Sequence, residues 1–272
     1  MGEKMKIKKI IFILILIISA VGLTISVVNV IKLSKHSSET VTKIEEINNV
    51  VKIEEKPDDE NVEIIEQEEK PKKNIYWDYI KLNMLNVDFS ELKKINSRVK
   101  GWLQVKGTNV NYPFVQADNN DFYINHSFDK TYNEAGWIFA DYRNKLDGTD
   151  KHIIIYGHAL LNKAMFGSLK LITENGWLKQ EENFIIKMSS EKENTLWQVF
   201  SVYHIPTTSD YLQTNFIDND DFMNFIELIK ERSVYDFETS VSENDKILTL
   251  STCYNKKERT VIHAKLIKKE TR

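Results

Sequence analysis

The stretch "IIFILILIISAVGLTISVVNVI", Ile10 to Ile31, runs for 22 residues without a charge. At a rise of ~1.5 Å per residue, a helix of that length covers the ~30 Å hydrocarbon core of a bilayer. It exceeds the ~7–15 apolar residues of an ordinary signal peptide, although Ala20-Val21-Gly22 would serve as a small-residue cleavage site. The preceding "MGEKMKIKK" carries four lysines and one acid. Lysines beside a span favour the cytoplasmic side. The expectation is a cytoplasmic segment over 1–9, a transmembrane signal-anchor over 10–31 and an extracytoplasmic remainder in the cell membrane. Lys32 and Lys35 oppose that orientation slightly.

Residues 32–73 read as an acidic extracytoplasmic tether. "EEKPDDENVEIIEQEEKPKK" is acid-rich and lacks aromatics, a composition that favours solvation over packing. Val41, Ile44, Ile47 and Val51 recur at helical spacing, so a short helix is the alternative there. The net charge of −3, without a basic stripe interleaved with aromatics, excludes nucleic acid as an expected partner.

From residue 74 onward the texture is that of a folded domain. "WDYIKLNMLNVDFSELKKINSRVKGWLQV" predicts one or two amphipathic helices, the second capped by Asp88 or Ser90 with Leu92, Ile95 and Val99 inward. Eight short β-like runs follow: "GWLQV", "NYPFVQ", "GWIFADY", "KHIIIYG", "NFIIKMS", "TLWQVFSVYHI", "KILTLSTC" and "RTVIHAKLI". Such spacing predicts a mainly antiparallel barrel or sandwich. Between the sixth and seventh runs, Phe222, Phe225, Ile226 and Ile229 mark one face of an inserted helix.

The chain has one cysteine, Cys253, at the end of "ILTLSTC". An exported protein with a single thiol forms no internal disulfide, so that thiol is either buried and inert or free and reactive. Strand alternation puts Ile247, Thr249, Ser251 and Cys253 on one face. The five residues "YNKKE" would close a hairpin in which Cys253 pairs with Arg259 and Thr249 with His263. Paired Cβ atoms lie ~4.5–5.5 Å apart, and a guanidinium there favours the nucleophilic thiolate. A lone strand cysteine is nevertheless more often a small buried hydrophobe, and the hairpin by itself does not overturn that.

A nucleophilic cysteine needs a histidine close in space. Of the six, His36 falls in the tether, and His263 would sit opposite Thr249, four residues down the strand from the cysteine. His152 and His204 fit surface or structural positions. His126, after a turn-rich segment, and His158, directly after the apolar strand "HIIIYG", stay open.

"TLSTC" with a nearby arginine and an upstream "YGH" resembles the signature of sortases, the cysteine transpeptidases of Gram-positive cell surfaces. "FSELKKINSRVKGWLQVKGTNVNYPFVQADNNDFYINHSF", "GWIFADYRN" and "IIIYGHALLNKAMFGSLK" extend the likeness to class B sortases over residues 87–267. The resemblance implies a mainly β fold over 74–272: an antiparallel barrel with N-terminal helices and a long helical insertion before the cysteine strand. It implies that Cys253 is the nucleophile attacking a threonine carbonyl in a C-terminal sorting signal. His158 would be the general acid, and Arg259 would bind substrate and stabilise the oxyanion. Ser251 is similar to a position lining the substrate groove. A thioester acyl-enzyme resolved by a peptidoglycan amine needs no cofactor and no metal. The implied partners are surface proteins carrying the sorting signal (NPxTx, SPxTG or LPxTG type) and a cell-wall amine. A pilin polymerase using a lysine acceptor and a non-catalytic surface-binding module are the competing readings.

Overall fold

The computed structural model describes residues 2–57, 60–65, 75–253 and 257–272. The uncharged run lies within α1 (Gly2–Val50), one continuous helix that is long and apolar enough to cross a membrane. None of its apolar window is buried inside the protein. Beyond the run, helical spacing wins over acidic composition: Thr40 and Ile47 are buried, and Ile44 and Val51 pack against the main core.

The rest of the segment expected to be a solvated tether is also folded where it is described. β1 (Lys52–Lys56) pairs antiparallel with β3 (Met84–Asp88). β2 (Val62–Ile64) adds to the outer edge of β11 (Glu258–Thr271). Three ion pairs hold the two strands down: Lys187 to Glu55 (2.7 Å), Lys56 to the buried Glu270 (2.7 Å) and Lys269 to Glu63 (2.9 Å). The acids that suggest solvation instead meet lysines of the barrel. Residues 58–59 and 66–74, including the domain boundary placed at residue 74, lie outside the described residues.

The stretch expected to be helical after residue 74 alternates elements. α2 (Ile75–Tyr79) is followed by β3 and then α3 (Ser90–Ile95). "MLNVD" is a strand because β1 offers it a partner. Asp88 Oδ1 accepts from the backbone N and hydroxyl of Ser90 (2.9 and 2.5 Å), which sharpens the turn into α3. Leu92 is fully buried as expected, but Ile95 faces solvent and Val99 already belongs to a strand, since α3 ends after six residues.

All eight β-like runs become strands: β4 (Val99–Val105), β5 (Asn111–Val115), β6 (Phe139–Ala140), β7 (His152–Gly157), β8 (Ile185–Ser190), β9 (Glu193–Pro206), β10 (Ile247–Cys253) and β11. They close a barrel in the order β10-β7-β6-β5-β4-β8-β9-β11, with β11 pairing back onto β10. Six neighbouring pairs are antiparallel, and two, β5–β6 and β7–β10, are parallel. Leu248, Leu250, Ile262 and Ala264 join the main core, as alternation requires.

The opposite faces of β9, β10 and β11 are covered by the helical insertion. A short α4 (Asn175–Leu178) precedes β8, and α5 (Asn219–Glu231) lies between β9 and β10. Asp218 caps α5 by accepting from the Asp221 N–H at 2.9 Å. The predicted face of Phe222, Phe225, Ile226 and Ile229 is buried, against Phe200, Tyr203, Ile247 and Val261 in a second cluster.

Candidate active site

Strand register gathers the candidate residues at one end of the barrel. In the parallel β7–β10 ladder, Gly157 pairs with Thr252. The next residue on each chain is His158 and Cys253. On the other side of β10, Cys253 pairs with Arg259, the register expected from the hairpin. Neighbouring strands lie ~4.7–4.9 Å apart, so the three backbones occupy adjacent strand ends.

A cleft of about 590 Å³ opens there, lined by His158, Arg259, Ser251, Thr252, Tyr156 and Tyr211 among others. That size suits an extended peptide or small ligand. Arg259 is half-buried and its Nη1 donates to the Glu258 carbonyl at 3.2 Å. Ser251 is buried, its Oγ 2.9 Å from the Tyr211 hydroxyl, so it shapes the wall through Tyr211 as well as directly.

His158 is half-buried, with Nε2 2.7 Å from the Ile124 carbonyl. A carbonyl only accepts, so Nε2 carries the proton in this contact and Nδ1 is left as the other site of exchange. Ile124 ends a 3₁₀ turn, Phe122–Ile124, steadied by the Trp137 N–H donating to the Tyr123 carbonyl at 3.0 Å. Gly136, at φ +60°, backs both groups. A Cβ there would fall 2.5 and 2.6 Å from the Tyr123 and Ile124 oxygens and 3.0 Å from His158 Cδ2. Only glycine leaves the turn and ring where they are.

Beneath the cleft, the fully buried Asp141 accepts from Arg143 Nε (2.8 Å) and Nη2 (2.7 Å), the Tyr156 hydroxyl (2.8 Å) and Asn120 Nδ2 (3.1 Å). Burial alone would raise its carboxyl, but the bonds from Arg143 and Tyr156 prevail and hold it below the ordinary value. Arg143 Nη2 also donates to the Leu212 carbonyl at 2.9 Å, tying the cleft's far wall to its floor. Sequence reasoning singled out none of these residues. The usable signal was the acid and arginine two residues apart in "ADYRN", directly after a strand.

The other histidines do not line the cleft. His126 stacks on Phe122 (ring centroids 4.0 Å apart). His204 bridges the Thr173 and Thr260 hydroxyls at 2.8 and 3.1 Å. His152 and His263 are buried on either side of Thr249 Oγ1, at 2.6 and 2.7 Å. Their second nitrogens meet the Gln213 carbonyl (2.5 Å) and the Tyr203 hydroxyl (2.8 Å).

Burial pushes His152 down to about 4 and His263 well below its ordinary value. Between pH 6.5 and 4 the unfolded chain binds protons that these native imidazoles refuse, so stability falls as pH falls through that window. His152 alone accounts for about 3 kcal/mol lost between pH 7 and pH 4. Urea midpoints at the two pH values will differ in the natural chain, and His152→Gln will remove His152's share of that difference. An equal pH dependence in the two proteins would overturn the assignment.

A sortase-domain family model matches residues 103–267, well over half of the chain. The chain is 35% identical over 186 residues to sortase B of Listeria monocytogenes, covering 67% of this chain and 75% of that protein. It is likewise 35% identical over 187 residues to sortase B of Staphylococcus aureus, covering 66% and 75%. Among solved structures, a Staphylococcus aureus sortase B–substrate complex is 34% identical, with a TM-score of 0.62, over 66% of this chain and 84% of that one.

Proposed function

The chain belongs to the class B sortases, cysteine transpeptidases, and we propose that its Cys253, His158 and Arg259 transfer surface proteins to a cell-wall amine. One observation supports the residue assignment: the β7–β10–β11 register puts the three backbones on adjacent strand ends, where His158 and Arg259 line one cleft. The Cys253 thiolate attacks the threonine carbonyl carbon of the sorting signal. Negative charge collects on the carbonyl oxygen, where Arg259 supplies a donor that stays charged at every relevant pH. His158 gives a proton to the departing amine as the C–N bond breaks, leaving a thioester on Cys253.

A peptidoglycan amine then attacks the thioester, His158 takes up its proton, and a new amide leaves with the thiolate restored. Transfer needs no ATP because the thioester retains much of the free energy of the cleaved amide. Ser251, beside Tyr211 on the cleft wall, contacts the bound signal. α1 anchors the enzyme as a single-pass protein, with residues 1–9 inside and the catalytic domain outside.

Full-length protein should cleave fluorogenic sorting peptides of one class among NPxTx, SPxTG and LPxTG. With a peptidoglycan-type amine present it should yield a new peptide–amine adduct, read by mass. An adduct formed with a lysine side chain of a surface protein but never with the wall amine would overturn the acceptor assignment.

A further inference from the structure

The residues that follow the apolar run of α1 are bound to the catalytic domain. Lys32 is the first charge after the apolar run. Its Nζ pairs with Glu134 Oε1 at 2.5 Å and lies over the Tyr132 ring, 5.6 Å from the centroid. One turn on, the Glu134 N–H donates to His36 Nδ1 at 3.3 Å. Asn133, buried, directs its amide nitrogen to the His36 carbonyl (3.2 Å) and the Thr40 hydroxyl (3.4 Å). Lys43 closes the clamp on Asp129 at 2.9 Å. Residues 32–43 of one unbroken helix therefore grip residues 129–134, and no spacer separates the apolar run from this grip.

The gripped loop leads directly into the cleft. Gly136, two residues past Glu134, stands against the His158 ring. At ~3.3–3.6 Å per residue, the near edge of the His158 ring lies within about 12 Å of the Glu134 backbone. Each headgroup layer is only ~5–8 Å deep beyond the hydrocarbon. The same rim carries large side chains left to solvent: Tyr132 is 54% exposed, Ile124 42% and Leu161, three residues after His158, 90%. A single exposed leucine is ordinary. Here Ile124 lines the cleft, Tyr132 sits in the loop gripped by the membrane helix, and Leu161 follows His158 by three residues.

We propose that the clamp between α1 and residues 129–134 seats the catalytic domain directly on the lipid surface. The loop after His158 touches headgroups, so the cleft takes its peptide at the bilayer surface rather than out in the wall. This rests on the reading of α1 as a membrane anchor, and the test separates the two.

Full-length Cys253→Ala protein carrying one fluorophore, at Leu161→Cys, is reconstituted into phosphatidylcholine–phosphatidylglycerol vesicles with headgroup-nitroxide lipid. The label should lose most of its emission. A flexible Gly/Ser spacer of about twelve residues between Ile31 and Lys32, with a reach of ~20 Å, should restore it. The clamp is untouched by that insertion, so the spacer variant with Cys253 intact should cleave soluble peptide at the natural rate, which verifies its fold. A label at Val28→Cys reports the anchor through acyl-chain nitroxides. A quenched Val28 label with an unquenched Leu161 label overturns this inference alone. Quenching at Leu161 that survives the spacer overturns it as well, because the helix would not then set the height. An unquenched Val28 label overturns the anchor reading and this inference with it.

Discussion

Replacing Cys253 with alanine is expected to abolish peptide cleavage, a fall of about 10⁴-fold or more, the scale seen when a covalent nucleophile is removed. The fold should survive, because residue 253 holds its place through the main-chain register of β10 with β11. Intact mass will separate a catalytic role from a structural one. The natural chain should accumulate a peptide adduct when no amine is supplied, and the alanine variant none. His158→Ala should lose a comparable factor, and the double variant little more than either single one, since groups acting in one step are not additive. Threonine-containing product released by Cys253→Ala at the natural rate would end the assignment.

The extent to which this site is legible in the sequence follows the reach of each interaction. The hairpin register is local: a five-residue connection and period-2 alternation set Cys253 opposite Arg259 and Thr249 opposite His263, and both pairings occur. The inner face of α5 is equally local, and all four residues expected there are buried. His158 is different. Periodicity puts it at a strand end, but its proximity to Cys253 depends on a parallel β7–β10 pairing between strands separated by 89 residues, His158 to Lys246 inclusive. No pattern within either strand encodes that partner, and only the family resemblance singled the residue out.

The misreadings share a cause as well. "MLNVD" and the acids of residues 52–65 were judged on intrinsic preference, whereas their structure is decided by partners far along the chain. Met84–Asp88 is a strand because Lys52–Lys56 lies beside it. Glu55 and Glu63 are held because Lys187 and Lys269 wait on the barrel. Asp141 escaped notice for a related reason. A buried carboxylate is costly unless paired, and although Arg143 is only two residues away, Tyr156 and Asn120 reach it only after the barrel closes.

Arg259 offers the sharper test of chemistry, since lysine keeps its charge but not its shape. Arg259→Ala is expected to lower kcat/KM about 10²–10³-fold, the usual loss for one oxyanion donor. Arg259→Lys should recover only part of that, because a flexible ammonium does not reproduce a planar fork of fixed donors. Stability should change little in either variant: β10 and β11 are joined by backbone bonds, and the guanidinium's bond to the adjacent Glu258 carbonyl lies within its own strand. The pattern across acyl formation and resolution is the decisive part. An oxyanion forms in both half-reactions, so single-turnover acylation and amine-dependent deacylation should slow together. Slowed peptide binding with unchanged acylation would reduce Arg259 to a substrate clamp. Full activity in Arg259→Ala would remove it from the mechanism.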